Sequence, residues 1–561
     1  MWGIGSRNRY RDPEIAPDEI FLDSSNLPDF NRSQLEGKLE KPISRRTYGI
    51  FGAVIALILI ALLSQAWNLQ VHQGVAYAAR SEKNVLAPET LFAARGIITD
   101  RNGSPLVTNE ASSSSDPAAF ANRVYKTPGF GQLLGYVSYP KKDTSGNYYD
   151  TDITGVAGVE ETFNTQLAGE NGTLLVERDA LGKAQSEGTI VSPQNGATLT
   201  LSIDARAQSA FYSAISSLAD RIPFSGGAGI MMDVNTGQVI ALVSYPEYDP
   251  NILSAGQPRS VIAGYSTDSR TPYLDRPVQG LYTPGSIVKP EEAAGALTDG
   301  VVTPNTTVND IGYITIPNPY DPSHPNKFVD WKAIGVEDLR KAIAYSSDVY
   351  FYMVGGGYQG QGGLGIDRLG QWYSTFGLTS ETGIQLPGEK SGFVPDPAWK
   401  QKTFSEAWNI GDTYHTAIGQ YSMQVTPIEM ARAIAAIANG GKLVTPTLIK
   451  DAPPQGESIA VNPQMLQVVR EGMRMGVTEG TSVGLNDMSF VQPAGKTGTA
   501  QTGLHNEYYN SWAVGFWPYN APKYVYVVMM EHGPAGNALG GIYAMHQVFM
   551  DLHQSAPEYF E

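Results

Sequence analysis

The stretch LYTPGSIVKPEEAAGAL, Leu281–Leu297, places a hydroxyl and an amine three residues apart, after Pro284-Gly285 and at the mouth of an alanine-rich helix. Positions i and i+3 share a helix face, so Lys289 can reach Ser286 Oγ. A serine hydroxyl is a poor nucleophile at neutral pH and needs a base within hydrogen-bond reach. A lysine serves as that base only when neutral, and burial with a second cation nearby lowers its pKa. The helix start favours developing negative charge. The pairing is therefore suited to covalent acyl transfer. Read alone, Ser286 is more simply a helix cap and Lys289 a solvated first-turn lysine.

Two further motifs complete such a site: Ser-x-Asn/Asp and Lys-Thr-Gly. The short serine motifs are weak by themselves. Ser-x-x-Lys recurs at Ser138–Lys141 around Pro140, and Ser-x-Asn/Asp recurs at Ser24, Ser114 and Ser266, in tail or loop-like stretches. Lys-Thr-Gly occurs once, at Lys496–Gly498. Order and context separate signal from noise. Ser286-Ile287-Val288-Lys289 opens a helix. Ser346-Ser347-Asp348 follows in AIAYSSDVYFYM, within or at the end of a helical stretch. Lys496-Thr497-Gly498-Thr499 precedes two long C-terminal strands and supplies the second cation. Alone, Asp348 reads as a surface acid and Lys496 as a turn residue.

The elements that must position these groups follow from periodicity. Residues 207–222, 339–354, 366–376, 427–439, 463–477 and the final GGIYAMHQVFMDLHQ read as helices. AGIMMDVNTGQVIALVSYP reads as a hairpin turning at Asn235–Gly237, and NSWAVGFWPYNAPKYVYVVMMEHG as two strands joined at Tyr519–Pro522. Strands at both ends with helices between predict an α+β domain over 205–555, an antiparallel sheet flanked by helices. Upstream, ARGIITDRNGSPLVTN reads as a hairpin at Asn102-Gly103. TGVAGVEETFNTQLAG reads as a helix ended by Gly169, GATLTLSID as a strand, and 72–94 as a mostly helical stalk. Tyr350-Phe351-Tyr352 reads as core, the glycine-rich 355–365 as a loop without a phosphate cradle, and His415 and His505 as loop residues near the cleft.

The 561 residues exceed one core. The absence of cysteine excludes disulfides, thiolate catalysis and Cys-ligated zinc. Seven histidines without paired ligand spacing offer no zinc site. A net charge of −16 argues against a nucleic-acid partner. From Tyr48 to Val71 no residue is charged, and about 20 apolar residues span a bilayer. Lys38, Lys41, Arg45 and Arg46 precede this run, and the next basic residue is Arg80. Positive-inside reasoning places the N-terminus in the cytoplasm and the rest outside the cell membrane, as a retained single-pass anchor. A leader of 47 residues is too long and too mixed in charge for a cleaved signal. The Asn/Asp/Pro-rich tail, 1–47, reads as disordered; 48–71 is the membrane helix, and 72–204 a membrane-proximal region.

With these motifs quoted, the chain resembles the class B penicillin-binding proteins, monofunctional peptidoglycan D,D-transpeptidases. The resemblance rests on DRPVQGLYTPGSIVKP (Asp275 standing where Asn is usual), GIQLPGEKSGFVPDPAWK, GDTYHTAIGQYSMQVTPIEMARA, AGKTGTAQ and ARGIITDRNGSPLVTN. Ser-Ser-Asp in place of Ser-x-Asn resembles the elongation, rod-shape branch. The resemblance implies that Ser286 attacks the penultimate D-Ala carbonyl of a stem peptide and expels D-Ala. Ser346, held by Lys289 and Lys496, would relay a proton to the leaving amine, and Asp348 would position the network. Ser286 and Thr499 N–H groups would form the oxyanion hole. Thr497, Gly498 and Thr499 would line the substrate, with the two threonine hydroxyls on its carboxylate. β-Lactams would trap Ser286, no cofactor is implied, and the partner would be a polytopic, SEDS-type glycan polymerase. The 72–204 pedestal is shorter than usual, with a Ser-rich break at Ser112–Ser115 where a head subdomain would stand. Alternatives are a D,D-carboxypeptidase or β-lactamase-like hydrolase, a β-lactam receptor signalling through the membrane helix, and a scaffold with a degenerate site.

Overall fold

The computed structural model describes residues 45–75, 86–111, 119–178, 184–318, 321–503 and 505–561. By packing, the chain divides after Leu86 into two units. In the first, α1 (Arg45–Trp67) buries none of its residues. The helical run continues to His72, 28 residues in all. At about 1.5 Å per residue this exceeds the ~30 Å hydrocarbon core of a bilayer. A long helix with leucines and isoleucines exposed all round is one solvated by lipid rather than by a protein core. The tail expected to be disordered falls, up to residue 44, outside the described residues.

The second unit opens with a difference from expectation. Within the 72–94 stretch that reads as a helical stalk, residues 76–85 lie outside the described residues, and Leu86–Leu91 forms strand β1. Pro88 sits inside that run and disfavours a helix interior. β1 pairs in a three-stranded sheet with β5 (Gly172–Arg178) and β6 (Ala184–Val191), in the order β1-β5-β6. The hairpin at Asn102-Gly103 is present: β2 (Ile98–Thr99) and β3 (Pro105–Glu110) pair antiparallel, with Gly103 at φ +83°. β4 (Asn122–Tyr125) adds to β3. The single helix expected before Gly169 is two short ones, α2 (Gly158–Thr162) and α3 (Asn164–Ala168). The strand expected at 196–204 is only β7 (Leu199–Thr200), parallel to β2.

A buried charge triad ties these pieces together. Glu160 of α2 accepts from Arg95 Nε at 2.6 Å and from Arg123 Nε at 2.7 Å, and all three side chains are almost fully buried. Arg95 also bonds the carbonyls of Ile153 and Glu160.

The rest of the unit is the expected α+β layer structure. Five antiparallel strands run in the order β9-β8-β16-β15-β14. They are β8 (Gly226–Asp233), β9 (Val239–Tyr245), β14 (Ala494–Thr502), β15 (Tyr508–Trp517) and β16 (Tyr524–Pro534). Strand side chains alternate between faces, and here each face has its own core. Val528 and Met530 of β16 pack with Phe211, Ile215 and Leu218 of α4 (Ala205–Arg221) and with Val548 and Phe549 near the C-terminus. Val527 and Met529 pack on the other side with Ile434 and Ile437. The helix on that side, α10 (Pro427–Asn439), is buried from Pro427 to Ala438. It is launched by a reciprocal capping box between Thr426 and Glu429. The remaining helices that matter for the site are α5 (Lys289–Thr298), α6 (Leu339–Tyr345), α7 (Asp348–Gly356), α8 (Gly365–Thr375), α9 (Ile410–Ala417), α11 (Pro463–Thr478) and α12 (Gly541–Ser555). Two small antiparallel ribbons stand beside α6 and α7: β10 (Val308–Asp310) with β13 (Gly335–Glu337), and β11 (Tyr313–Ile316) with β12 (Asn326–Val329).

Breaking one partner of a buried ion triad strands the others. Glu160→Gln leaves two buried guanidinium groups without their counter-charge and is expected to cost about 3–5 kcal/mol. Thermal unfolding of the variant should begin several degrees below the parent; an unchanged transition would mean that the triad contributes nothing net.

Candidate active site

The serine turn is held from two sides by glycines. Gly285, at φ +59°, starts a tight helical turn, Gly285–Val288, from which α5 continues. Behind it, Gly419 (φ +72°) accepts from Gly285 N at 3.0 Å, and a Cβ there would lie 2.2 Å from Gly285 O. In front, a Cβ on Gly498 of β14 would lie 2.8 Å from both Ile287 Cγ2 and Pro284 O. Lys-Thr-Gly therefore presses directly on the Ser286 turn because its third residue has no side chain. Trp512 of the neighbouring strand braces the same turn, donating Nε1–H to Thr283 O at 3.2 Å.

The stretch 339–354 reads as one helix but is two, broken at the second motif. Ser346 adopts φ +62° and ends α6, and Ser347 caps α7 by accepting from Tyr350 N. Asp330 fixes this junction. Its Oδ2 accepts from Asp348 N at 2.6 Å, Val349 N at 3.0 Å and Ser347 Oγ at 3.3 Å. An anion at the start of α7 is favoured by the helix dipole. Asp330 has no motif of its own; no pattern in the sequence marks it, because its partners are 17 to 19 residues away.

Both lysines are buried, at 0% and 1% exposure. Lys289 Nζ donates to Ser346 O at 2.8 Å, Ser347 O at 3.1 Å and Asp348 Oδ1 at 2.6 Å, and lies 5.3 Å from the Phe351 ring centre. Lys496 Nζ donates to Ser346 Oγ at 2.7 Å and Thr497 O at 2.8 Å. The expected spacing places Lys289 one turn from Ser286, yet among the described residues no hydrogen bond joins them; the aspartate draws the amine toward motif two. The two amines also have different surroundings. Complete burial, reinforced by the charge on Lys289, holds the Lys496 amine well below the usual lysine range. Lys496 faces a hydroxyl and a carbonyl, whereas Lys289 faces a carboxylate.

Other carboxyls nearby do not compete for that cation. Burial pushes Asp330 up, with Asp348 adding to it, and raises Glu337 and Glu291 each to about 8. Glu292, fully buried on α5, is raised well above its ordinary value by the same cause. Asp275, where asparagine was expected, is pushed by burial to about 7; once protonated, a carboxyl has the shape and donor–acceptor pattern of an amide.

Ser286, Ser346, Asp348, Thr497, Gly498 and Thr499 line one cavity of about 780 Å³. Thr497 is already engaged, donating to Thr481 Oγ1 at 2.7 Å. Sequence reasoning missed Thr481, Trp331 and the α12 residues that complete the wall. Tyr350, Phe351 and Tyr352 are buried as expected. His415 lies in α9 rather than a loop, its ring 5.5 Å from that of Phe328. Among the described residues, no group of three His, Asp or Glu side chains is placed to hold a metal ion.

Residues 227–552 match the penicillin binding protein transpeptidase domain, and residues 117–201 the penicillin-binding protein dimerisation domain. The peptidoglycan D,D-transpeptidase MrdA of Acinetobacter baumannii is 30% identical over 89% of this chain and 86% of its own. Among solved structures, Pseudomonas aeruginosa PBP2, determined with WCK 5153, superposes with a TM-score of 0.66 at 32% identity, covering 83% of this chain and 96% of that one. Helicobacter pylori PBP2, determined in complex with MreC, superposes at 0.69 with 27% identity, covering 84% and 99%.

The buried Lys496, its amine held well below the usual lysine range, makes the site sensitive to pH. The unfolded chain binds a proton at this lysine up to about pH 10.4, whereas the folded state does not until well below that value. Stability at neutral pH is therefore reduced, and rises as pH climbs from the folded toward the unfolded pKa. Lys496→Met should raise the unfolding temperature at pH 7, narrow that pH dependence, and slow acylation by roughly 10²-fold or more; a destabilised variant would show the amine to be charged. Matching domain models, full-length relatives and this cavity converge: the chain belongs to the penicillin-binding protein family, as a serine D-Ala-D-Ala transpeptidase of peptidoglycan synthesis in the cell-shape branch.

Proposed function

We propose that Ser286 is the nucleophile, Lys289 its base, and Ser346 with Lys496 the proton path to the leaving group. The observation that carries this is the pair of short contacts, Lys289 Nζ on Asp348 and Lys496 Nζ on Ser346 Oγ, beside Ser286 in one cavity. When a stem peptide enters and excludes water, the Lys289–Asp348 ion pair loses its solvation. Burial then favours the neutral pair, an amine and a carboxylic acid. The neutral Lys289 takes the Ser286 proton as Oγ adds to the penultimate D-Ala carbonyl. Charge on the carbonyl oxygen falls between the N–H groups of Ser286 and Thr499, a donor pair of the kind that stabilises tetrahedral states. Support for that pairing comes from the close approach of the two backbones: a Cβ on Gly285 would lie 3.4 Å from Thr499 C and Ala500 N. The departing D-Ala nitrogen takes its proton from Ser346 Oγ, held by Lys496, as Ser346 takes one from the protonated Lys289, so the proton that left Ser286 ends on the leaving amine. The Thr499 hydroxyl binds the terminal carboxylate, joined by that of Thr497 once it turns from Thr481. An amine from a second stem peptide then displaces Ser286 from the acyl-enzyme. β-Lactams follow the first half and stop.

We also read the chain as anchored by α1 with its N-terminus inside, on the strength of the basic residues before the span. A SEDS-type glycan polymerase and an MreC-like scaffold protein are the partners this reading expects, the second because the Helicobacter pylori relative was solved with MreC.

Intact mass of the purified chain after incubation with benzylpenicillin tests the chemistry. One drug mass should add, and Ser286→Ala should add none. Lys289→Ala should acylate at least 10²-fold more slowly. Drug destroyed without an adduct would indicate a hydrolase instead.

A further inference from the structure

Two acids stand directly behind the Lys289 amine, and the reaction above uses neither. Glu291 and Glu292 follow Lys289-Pro290 in α5, both are fully buried, and none of their four carboxyl oxygens accepts a hydrogen bond. A buried carboxyl without a partner is costly, and far more so when ionised; a helix core ordinarily carries leucine or methionine at such positions. Spacing separates the two acids. Lys289 and Glu292 are three residues apart and share a face of α5, whereas Glu291, two residues from the lysine, does not face it. The packing on α7 shows the same pairing. Lys289 Nζ lies 5.3 Å from the Phe351 ring centre, and one turn further along α7 a Cβ on Gly355 would lie 3.2 Å from Glu292 Oε1. Amine and carboxyl therefore lie one turn apart along the same α5–α7 seam.

We propose that Glu292 is a positioning residue for Lys289: as a neutral carboxylic acid it leaves Asp348 as the amine's one close counter-ion, and when it ionises it holds the proton on Lys289 and so removes the base from Ser286. This rests on the reading of Ser286 as the nucleophile and Lys289 as its base. The groups that act on Glu292 are few. Tyr373 of α8 reaches it, though its hydroxyl donates instead to Ala417 O of α9 at 3.4 Å. α7 presents Gly355, and α9 presents Ala417 against that glycine; neither titrates. On α5 itself, Lys289 is the charge that most opposes the effect of burial on Glu292, and Glu291 acts on Tyr373 as well. Around Lys289 stand Asp348, which bonds it, Asp330 and Glu337 from the second-motif side, and Lys496 from β14. At Asp330 and Glu337 a hydrogen bond outweighs the lysine charge. An opposite charge nearby favours the charged form of an amine. Burial keeps Glu292 protonated well above the usual carboxylate range. Once its proton is lost to solvent, Lys289 faces two carboxylates instead of one.

The test is the rate of benzylpenicillin acylation by the full chain in detergent, read by intact mass from pH 6.5 to 9.5. It compares the parent with Glu292→Gln, Glu292→Met and Glu291→Gln. At pH 6.5, where Glu292 is neutral, all four should acylate within about two-fold of one another. As pH rises the Glu292 variants should pull ahead, to about three-fold or more above the parent at pH 9, because they lack the second anion. Glu291→Gln should follow the parent throughout. Glu292 variants that do not pull ahead, a difference of the same size at every pH, or a Glu291→Gln curve that separates as far as that of Glu292→Gln would each overturn the assignment. So would loss of folding in both Glu292 variants, seen by circular dichroism, which would make the carboxyl a structural group. A parent that forms no penicillin adduct would overturn the Ser286 reading, and a Lys289→Ala variant that acylates at the parental rate would overturn the Lys289 reading. A parent that acylates while Lys289→Ala does not, with no separation at Glu292, overturns this inference alone.

Discussion

Two buried amines beside one cavity set the terms for this site. An ammonium buried without compensation costs far more than a folded domain can absorb, so each buried lysine needs partners of its own. The structure supplies one ionised partner, Asp348, and gives it to Lys289. Lys496 receives a hydroxyl and a carbonyl instead, and burial holds its amine well below the usual lysine range. The neighbouring acids are kept from adding a second anion by burial, with Glu291 and Glu337 raised to about 8. With one ion pair beside an amine that is held only by a hydroxyl and a carbonyl, the proton transfers proposed above need only small rearrangements.

That arrangement depends on three stretches of chain meeting within van der Waals contact, and small residues make the meeting possible. Gly498 lets the edge strand touch the serine turn, and Gly419 lets the turn be backed by main chain rather than side chain. The left-handed Ser346 breaks what would be a continuous helix and sends its hydroxyl to Lys496 and its carbonyl to Lys289. A single bent residue thus serves both amines. Asp330 holds the bend by capping α7, so a residue outside every motif fixes the geometry of the second one. The sheet behind is packed on both faces, which gives the edge strand a rigid base.

The membrane-proximal region was the least legible. Its strands are short, and its three-stranded sheet joins β1 to strands more than 80 residues later, so local periodicity carries little signal; residues 86–91 looked helical by composition and became a strand by pairing. The long amphipathic elements of 205–555 were legible because each buries one face against a large core, which enforces period 2 or 3.6 along the chain.

The sequence by itself determined the chemistry available: a serine, two lysines and an aspartate in motifs whose order admits few other readings, an apolar run long enough for a bilayer, and no thiol. It also determined the α+β layering, since hydrophobic alternation is a local property of each strand and helix. Only the tertiary structure decided which lysine meets a carboxylate, because that depends on which amine reaches Asp348. It alone broke the helix at Ser346, joined Asp330 to the second motif, and brought Tyr543 and His546 of α12 into the wall of the same cavity as Ser286. Those are contacts between distant segments, and a pKa or a cavity wall is a property of everything around a residue rather than of its neighbours in the chain.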